Sequence, residues 1–488
     1  MTDMSNGNSQ RSEVGNFERF ANVLTPSPVS PRRKNAPVAS HPLSEGGEGR
    51  DGPRPVSCVP NPVFHFCLLP FALCLLTCSL TFAAERPHLI TRWENFTTAN
   101  GMPDAKVFCV TVDGARVWAG TEDGLVLIEN GSVAKVYRPA DGLAHRAVMG
   151  IAVDQSTGDL WIATFGGLSH FSGGRFENFT NLSSGLLNDI CYGVAVVDHY
   201  IWVATTAGVS RYNTLNGEWS SWSEKNAPFH EPWAYGIAPA GNKMYFAIWG
   251  GGLLEYDVSG NYWKPYTDPD EEMEIVLFRN QGLIHIIVSG VAWNPDTKMI
   301  WASTYFGLSG YDGRNWHNYL TKDSGLASDF INAPKSRRNE VWACTDKGLS
   351  MLDYSTNTWV TYRPGKQRDQ GVAPGFSPAH AAGKSITPGT APALHSGQPL
   401  KGSATNASPG QIEITWPDGK KEMLATPTTL AHNYVLNMDF QGEDIWVATA
   451  LGLSHGIREP HKETQLYANA TNARRTADSG ANHFQKGH

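Results

Sequence analysis

IWVATTAGVSRYNTLNGEWSSWS, residues 201–223, reads as three β-strands joined by two tight turns. Its opening Ile-Trp-Val-Ala-Thr does not alternate with polar residues, the pattern of a strand covered on both faces. Gly208, just before Val209, supplies the positive φ or close backbone approach that a turn into the next strand demands. SRYNT then reads as a third strand, followed by a hairpin and the aromatic outer strand EWSSWS. Upstream, the apolar CYGVAVV (191–197) supplies a further, innermost strand, so the unit has four strands.

The same phrase returns as VWAGTEDGL (117–125), LWIATFGGL (160–168), MYFAIWGGGL (244–253), IWASTYFGL (300–308), VWACTDKGL (341–349) and IWVATALGL (445–453). The anchors are Trp118, Trp161, Trp202, Tyr245, Trp301, Trp342 and Trp446, spaced 43, 41, 43, 56, 41 and 104 residues apart. Most of these intervals match the 40–45 residues of a four-stranded propeller blade, and two carry insertions. Seven units of four antiparallel strands predict an all-β, seven-bladed β-propeller over residues 85–457. The anchors and the outer-strand Trp219, Trp263, Trp316 and Trp359 are assigned to its core.

The last unit lacks an aromatic outer strand, whereas an orphan RWENFT (92–97) precedes the first. The N-terminal strand 92–97 is therefore expected to complete the blade begun by Trp446. Such closure removes exposed sheet edges.

A turn with Gly-Leu, an inner strand, then apolar-Trp-apolar-(Gly/Ala)-Thr-x-x-Gly-Leu resembles the two-component regulator propeller repeat. That family is best known from the extracytoplasmic sensor parts of bacterial hybrid histidine kinases. The resemblance covers about residues 85–457 and implies the propeller fold and ligand sensing linked to two-component signalling. It does not imply a kinase here, because no kinase His box, nucleotide loop or receiver stands in the sequence. A separate sensor kinase is the partner that it suggests.

Outside the repeat, residues 1–57 are poor in large apolar side chains, and their composition predicts disorder, as does that of the polar tail 458–488. Residues 58–84 hold the apolar run VFHFCLLPFALCLLTCSLTFAA (63–84), which reads as a secretory signal or a retained membrane anchor. Either reading exports the propeller to a periplasmic or extracellular location, anchored in the second case by residues 63–84. A flexible, Gly/Pro/Ala/Ser-rich insertion is expected at 365–411, with a hairpin after it in IEITWPDGKKEML, and a lengthened loop at 268–281. Cys109, Cys191 and Cys344 lie in strand-like contexts with no CxxC, which predicts buried free thiols and no metal knuckle. The net charge of -7 gives no basic footprint for nucleic acid.

Propeller loops gather at one mouth of the central channel, so positions equivalent by repeat are neighbours in space. Fourteen to sixteen residues before the anchors stand Asp104, His145, Asn188, His230, His285, Ser328 and His432. The next position reads Ala105, Arg146, Asp189, Glu231, Ile286, Asp329 and Asn433. One reading is a polar, titratable ring for a small ligand, a glycan or a protein; the other is a set of side chains that hydrogen-bond their own backbone. The turns after the anchor strands add Phe165, Trp249 and Tyr305, and the first loops add Trp233 and Tyr434, as aromatic platforms. No cofactor, metal or nucleophile motif is found, since GxSxG, HExxH and P-loop patterns are missing. The reading is a non-catalytic binding module, with a lyase or hydrolase at the His-rich mouth and an interaction scaffold as alternatives.

Overall fold

The computed structural model describes residues 86–270, 279–365 and 409–458. The expected disordered regions, apart from Arg458, which ends a strand, the apolar run 63–84 and nearly all of the insertion 365–411 lie outside the described residues, as does part of the loop 268–281.

Seven antiparallel sheets follow one another along the chain. In the third, strands Cys191–Val197, Tyr200–Thr205, Gly208–Asn213 and Trp219–Trp222 pair in sequence order, as residues 191–223 predict. The innermost strands, from Val107–Asp113 to Val435–Gln441, contact one another in succession, and the last contacts the first, closing a ring. Ile90–Phe96 pairs with Gly452–Arg458, Arg92 opposite Ile457 and Phe96 opposite Leu453. Blade seven is thus made from both ends of the described chain, as the orphan strand predicted.

One blade departs from four strands. The sixth carries Gly410–Thr415 and Lys421–Thr426 beyond its outer strand Thr358–Arg363, making six. The hairpin expected around Pro417-Asp418-Gly419 is this addition, and Gly419 at φ 81° makes its turn.

The anchor strands are buried along nearly their whole length because each sits between two neighbouring blades. Four of the six anchor indoles meet an aromatic in, or directly after, the following blade's third strand: Trp118 and Phe171, Trp161 and Tyr212, Trp202 and Tyr256, Trp301 and Tyr354, with centroids 5.8–6.2 Å apart. Such rings contribute apolar burial plus edge and tilt complementarity. Blade four replaces indole with phenol and adds a partner: the Tyr245 and Tyr266 hydroxyls both donate to Glu255 Oε2, at 2.9 and 2.8 Å, while Lys243 pairs with Oε1. A charge this buried is tolerated because its oxygens are satisfied. Cys109, Cys191 and Cys344 are buried free thiols, and burial pushes Cys109 up to about 12.

Candidate functional site

Each innermost strand is entered through a loop that begins with a buried apolar residue: Met102, Leu143, Leu186, Phe229, Leu283, Leu326 or Leu430. Two residues later, a side chain turns back onto the chain. Asp104 Oδ1 accepts from Lys106 N at 2.8 Å, Asn188 Oδ1 from Ile190 N at 2.8 Å, and Ser328 Oγ from Phe330 N at 3.3 Å. His145, His285 and His432 do the same through Nδ1, accepting from Ala147, Ile287 and Tyr434 N at 3.0, 3.1 and 3.0 Å. At these six positions the side chain caps its own backbone. An imidazole that accepts at Nδ1 carries its proton on Nε2 when neutral. Burial lowers the pKa of His145 and His432 and favours that neutral form.

The frame of buried apolar residues corrects one alignment. Phe229 fills the leucine position of blade four, so its capping position falls on Glu231, and Pro232 is the residue that follows. His230 is exposed and outside the series. Three of the seven positions are histidine.

Immediately inside the first residue of every innermost strand the pairing register slips by one residue, a β-bulge repeated seven times. The bulged residues are Phe108, Met149, Tyr192, Tyr235, Ser289, Asn332 and Leu436. Bulges re-aim side chains, and all seven of these line one cavity of about 1030 Å³ in the central channel. Gly150, Gly193 and Gly236 follow the bulge where adjacent inner strands crowd together: a Cβ on Gly150 would lie 3.0 Å from Tyr192 O and 3.3 Å from Gly193 Cα.

Around the mouth the rings form a continuous arc. Centroid distances run 6.5 Å from His145 to Phe165, 5.6 Å from Phe165 to Tyr192, and 4.2 Å from Tyr192 to Tyr235. They continue at 5.1 Å to Trp249, 4.5 Å to Tyr305, 4.3 Å to Phe330 and 6.5 Å to Tyr434. Tyr192 and Tyr235 are stacked, and burial raises both phenols; Tyr434 is pushed up to about 12 for the same reason. Blades one and two close the circle with charge. Lys106 Nζ holds Glu122 Oε2 at 3.0 Å, whereas Arg146, exposed at the rim, has no ion-pair partner among the described residues.

Of the residues expected at the mouth, His145, Arg146, Phe165, Trp249, Tyr305, His432 and Tyr434 line the cavity. The others lie outside its lining. Asp104, Asn188 and His285 cap their loops, His285 being only 3% exposed. Asp189 and Asp329 brace the preceding turn, accepting from Asn181 N and Thr321 N at 2.7 Å. Glu231 lies against the Gly250 turn, Trp233 is exposed, and Asn433 Oδ1 is buried without a hydrogen-bond partner. Sequence reasoning missed the seven bulged residues and Phe330. Their signal is a fixed position, four residues after the cap and, in four blades, directly before a glycine. Among the described residues, no three His, Cys, Asp or Glu side chains come together as a metal site.

The class defined by this architecture is a seven-bladed β-propeller with an aromatic channel mouth. It is similar to the extracellular domain of a protein of B. thetaiotaomicron described as a one component system, at 14% identity and a TM-score of 0.49, over 75% of this chain and 40% of that one. A second extracellular domain from that organism, described as part of a hybrid two component system, is 14% identical with a TM-score of 0.45, over 77% of this chain and 55% of its own. Virginiamycin B lyase from Staphylococcus aureus is 12% identical with a TM-score of 0.47, over 75% and 98%. The chain thus spans about half, or less, of the first two structures. These are likenesses of fold. No protein-family model matches the sequence, and no curated protein is significantly similar to it.

Proposed function

We propose that this chain is an exported, non-catalytic sensing module whose channel mouth takes up a small ligand and signals to a separate kinase. The observation that carries this reading is the arc of rings from Phe165 to Tyr434 around one cavity of about 1030 Å³, the size range of small-molecule sites. The imidazoles that a lyase or hydrolase would recruit are engaged as backbone caps at Nδ1, which favours binding over turnover. Thermal-shift screening of the full chain against a small-molecule library tests the reading. We expect stabilising compounds whose shift disappears in Phe165→Ala or in Trp249→Ala. Shifts that survive Phe165→Ala, Trp249→Ala and Tyr305→Ala alike, or a hit that is chemically consumed by the wild type and not by His145→Asn/His432→Asn, would overturn it.

Export is supported by the apolar run 63–84, about the length that a membrane span requires and long enough to hold a signal core ending in the small residues Ala83 and Ala84. Among the described residues no helix is long and apolar enough to cross a membrane. In cell fractionation the propeller should be found outside the cytoplasm, and moving it there should depend on residues 58–84. Recovery from the cytoplasm sinks this part of the proposal.

A further inference from the structure

The mouth has two unlike sectors. Phe165 and Tyr192 meet nearly at right angles, with an interplanar angle of 79°, and form a corner bounded by one ring face and one ring edge. Such a corner accepts a flat ring, offset-stacked on one wall and edge-on to the other. His145 lies beside Phe165, their ring centroids 6.5 Å apart, and Arg146, the next residue of the same loop, lines the same cavity. His145 presents an Nε2–H when neutral, because Nδ1 is held by Ala147 N, and Arg146 is a guanidinium without an ion-pair partner among the described residues. Lys106 and the Nε2–H of His432 continue this donor-rich sector across blades one and seven.

Among the lining residues the one carboxylate is Glu122, and Lys106 holds it. The other side-chain acceptors are neutral: Asn437 Oδ1 accepts from Val110 N at 3.3 Å and Ser336 Oγ from Asn294 Nδ2 at 2.7 Å, while Asn332 and the hydroxyls of Tyr192, Tyr235, Tyr305 and Tyr434 also line the cavity. A polyhydroxylated ligand, which is neutral, would leave the Arg146 charge without a counter-charge. A ligand with one anionic acceptor group and an otherwise apolar, planar body fits both sectors. Arginine suits a carboxylate in particular, because its planar fork makes two parallel charge-assisted hydrogen bonds.

We infer that the ligand class of this mouth is an aromatic carboxylate, its ring in the Phe165/Tyr192 corner and its carboxylate on Arg146 and the His145 Nε2–H. This rests on the mouth-binding reading above. Binding is non-covalent and leaves the ligand intact.

Isothermal titration of the full chain with 4-hydroxycinnamate, its methyl ester and glucuronate tests the inference. The acid should bind, the ester about tenfold or more weakly, and glucuronate weakest, since the ester keeps the ring and loses the charge while glucuronate keeps the charge and loses the ring. Arg146→Met should lower affinity for the acid by about tenfold and leave the ester where it was, and added salt should weaken the acid in the wild type only. Phe165→Ala should weaken acid and ester alike, with an unchanged melting temperature in the absence of ligand as the check on folding. Equal binding of acid and ester, or preference for glucuronate, overturns the ligand class. If neither acid nor ester binds while other compounds shift the wild type but not Trp249→Ala, the ligand class falls and the mouth-binding reading stands. Should 4-hydroxycinnamate bind the wild type, Phe165→Ala and Trp249→Ala equally, both fall.

Discussion

His145 and His432 illustrate how one residue type serves a structural role that looks chemical in the sequence. Each accepts a backbone N–H two residues on, as Asp104, Asn188 and Ser328 do at equivalent positions. Aspartate, asparagine, serine and histidine share an acceptor at short reach, which is what the loop demands. The histidine choice has a pH consequence. Burial lowers both imidazoles from the usual 6.5, for His145 with help from the Arg146 charge, so the unfolded chain binds these protons more readily than the folded one. Their contribution to stability is fully present above pH 6.5 and is lost as pH falls through the lowered folded values. Guanidinium midpoints measured between pH 5 and 8 should therefore decline on the acid side. His145→Asn/His432→Asn keeps the cap, as Asn188 shows is feasible, and should flatten that decline; an unaltered slope would remove these histidines as its source.

At the scale of the element, the strands were legible and their irregularities were not. An unbroken apolar-Trp-apolar-Ala-Thr run identifies the doubly covered second strand, and Gly124 and Gly452, at φ 127° and 128°, sit in the turns expected of them. A Cβ on Gly452 would lie 2.6 Å from Phe96 O, so the glycine permits blade seven to pair with its N-terminal strand. The bulge at Tyr192 or Tyr235 leaves hydrophobicity unchanged and costs only one pairing, so periodicity alone does not reveal it. Yet it decides which side chains face the channel. The reading of the capping position was off by one in blade four for a related reason: His230 and Glu231 are both polar, and only the burial of Phe229 distinguishes their registers. Half of the candidate site was thus visible as loop chemistry. The other half depended on where a strand slips, and the slip recurs in all seven blades, before Gly150, Gly193 and Gly236 as before Cys109, Ala333 and Asn437.

At the scale of the molecule, closure sets the stability argument. In an open repeat array the loss of a terminal strand removes one neighbour interaction and leaves the rest standing. Here Ile90–Phe96 joins blade seven, whose inner strand contacts both blade six and blade one. Trp93 packs on Tyr362 of blade six at 5.7 Å, Ile90 N donates to the Tyr362 hydroxyl at 3.1 Å, and Phe96 packs on Trp446 at 5.4 Å. Removing the strand therefore exposes Gly452–Arg458 as a bare edge and strips apolar cover from the clusters shared with blades six and one. The wild type should unfold in one cooperative transition followed by tryptophan fluorescence and circular dichroism alike. A chain lacking residues 90–97 should lose several kcal/mol, the range of large buried aromatic deletions, across the whole ring at once. Its midpoint should fall with the two probes still coincident. Retention of the wild-type midpoint, or a small early phase followed by an unshifted main transition, would mean that the blades are stabilised singly and that closure through blade seven is not what holds the ring.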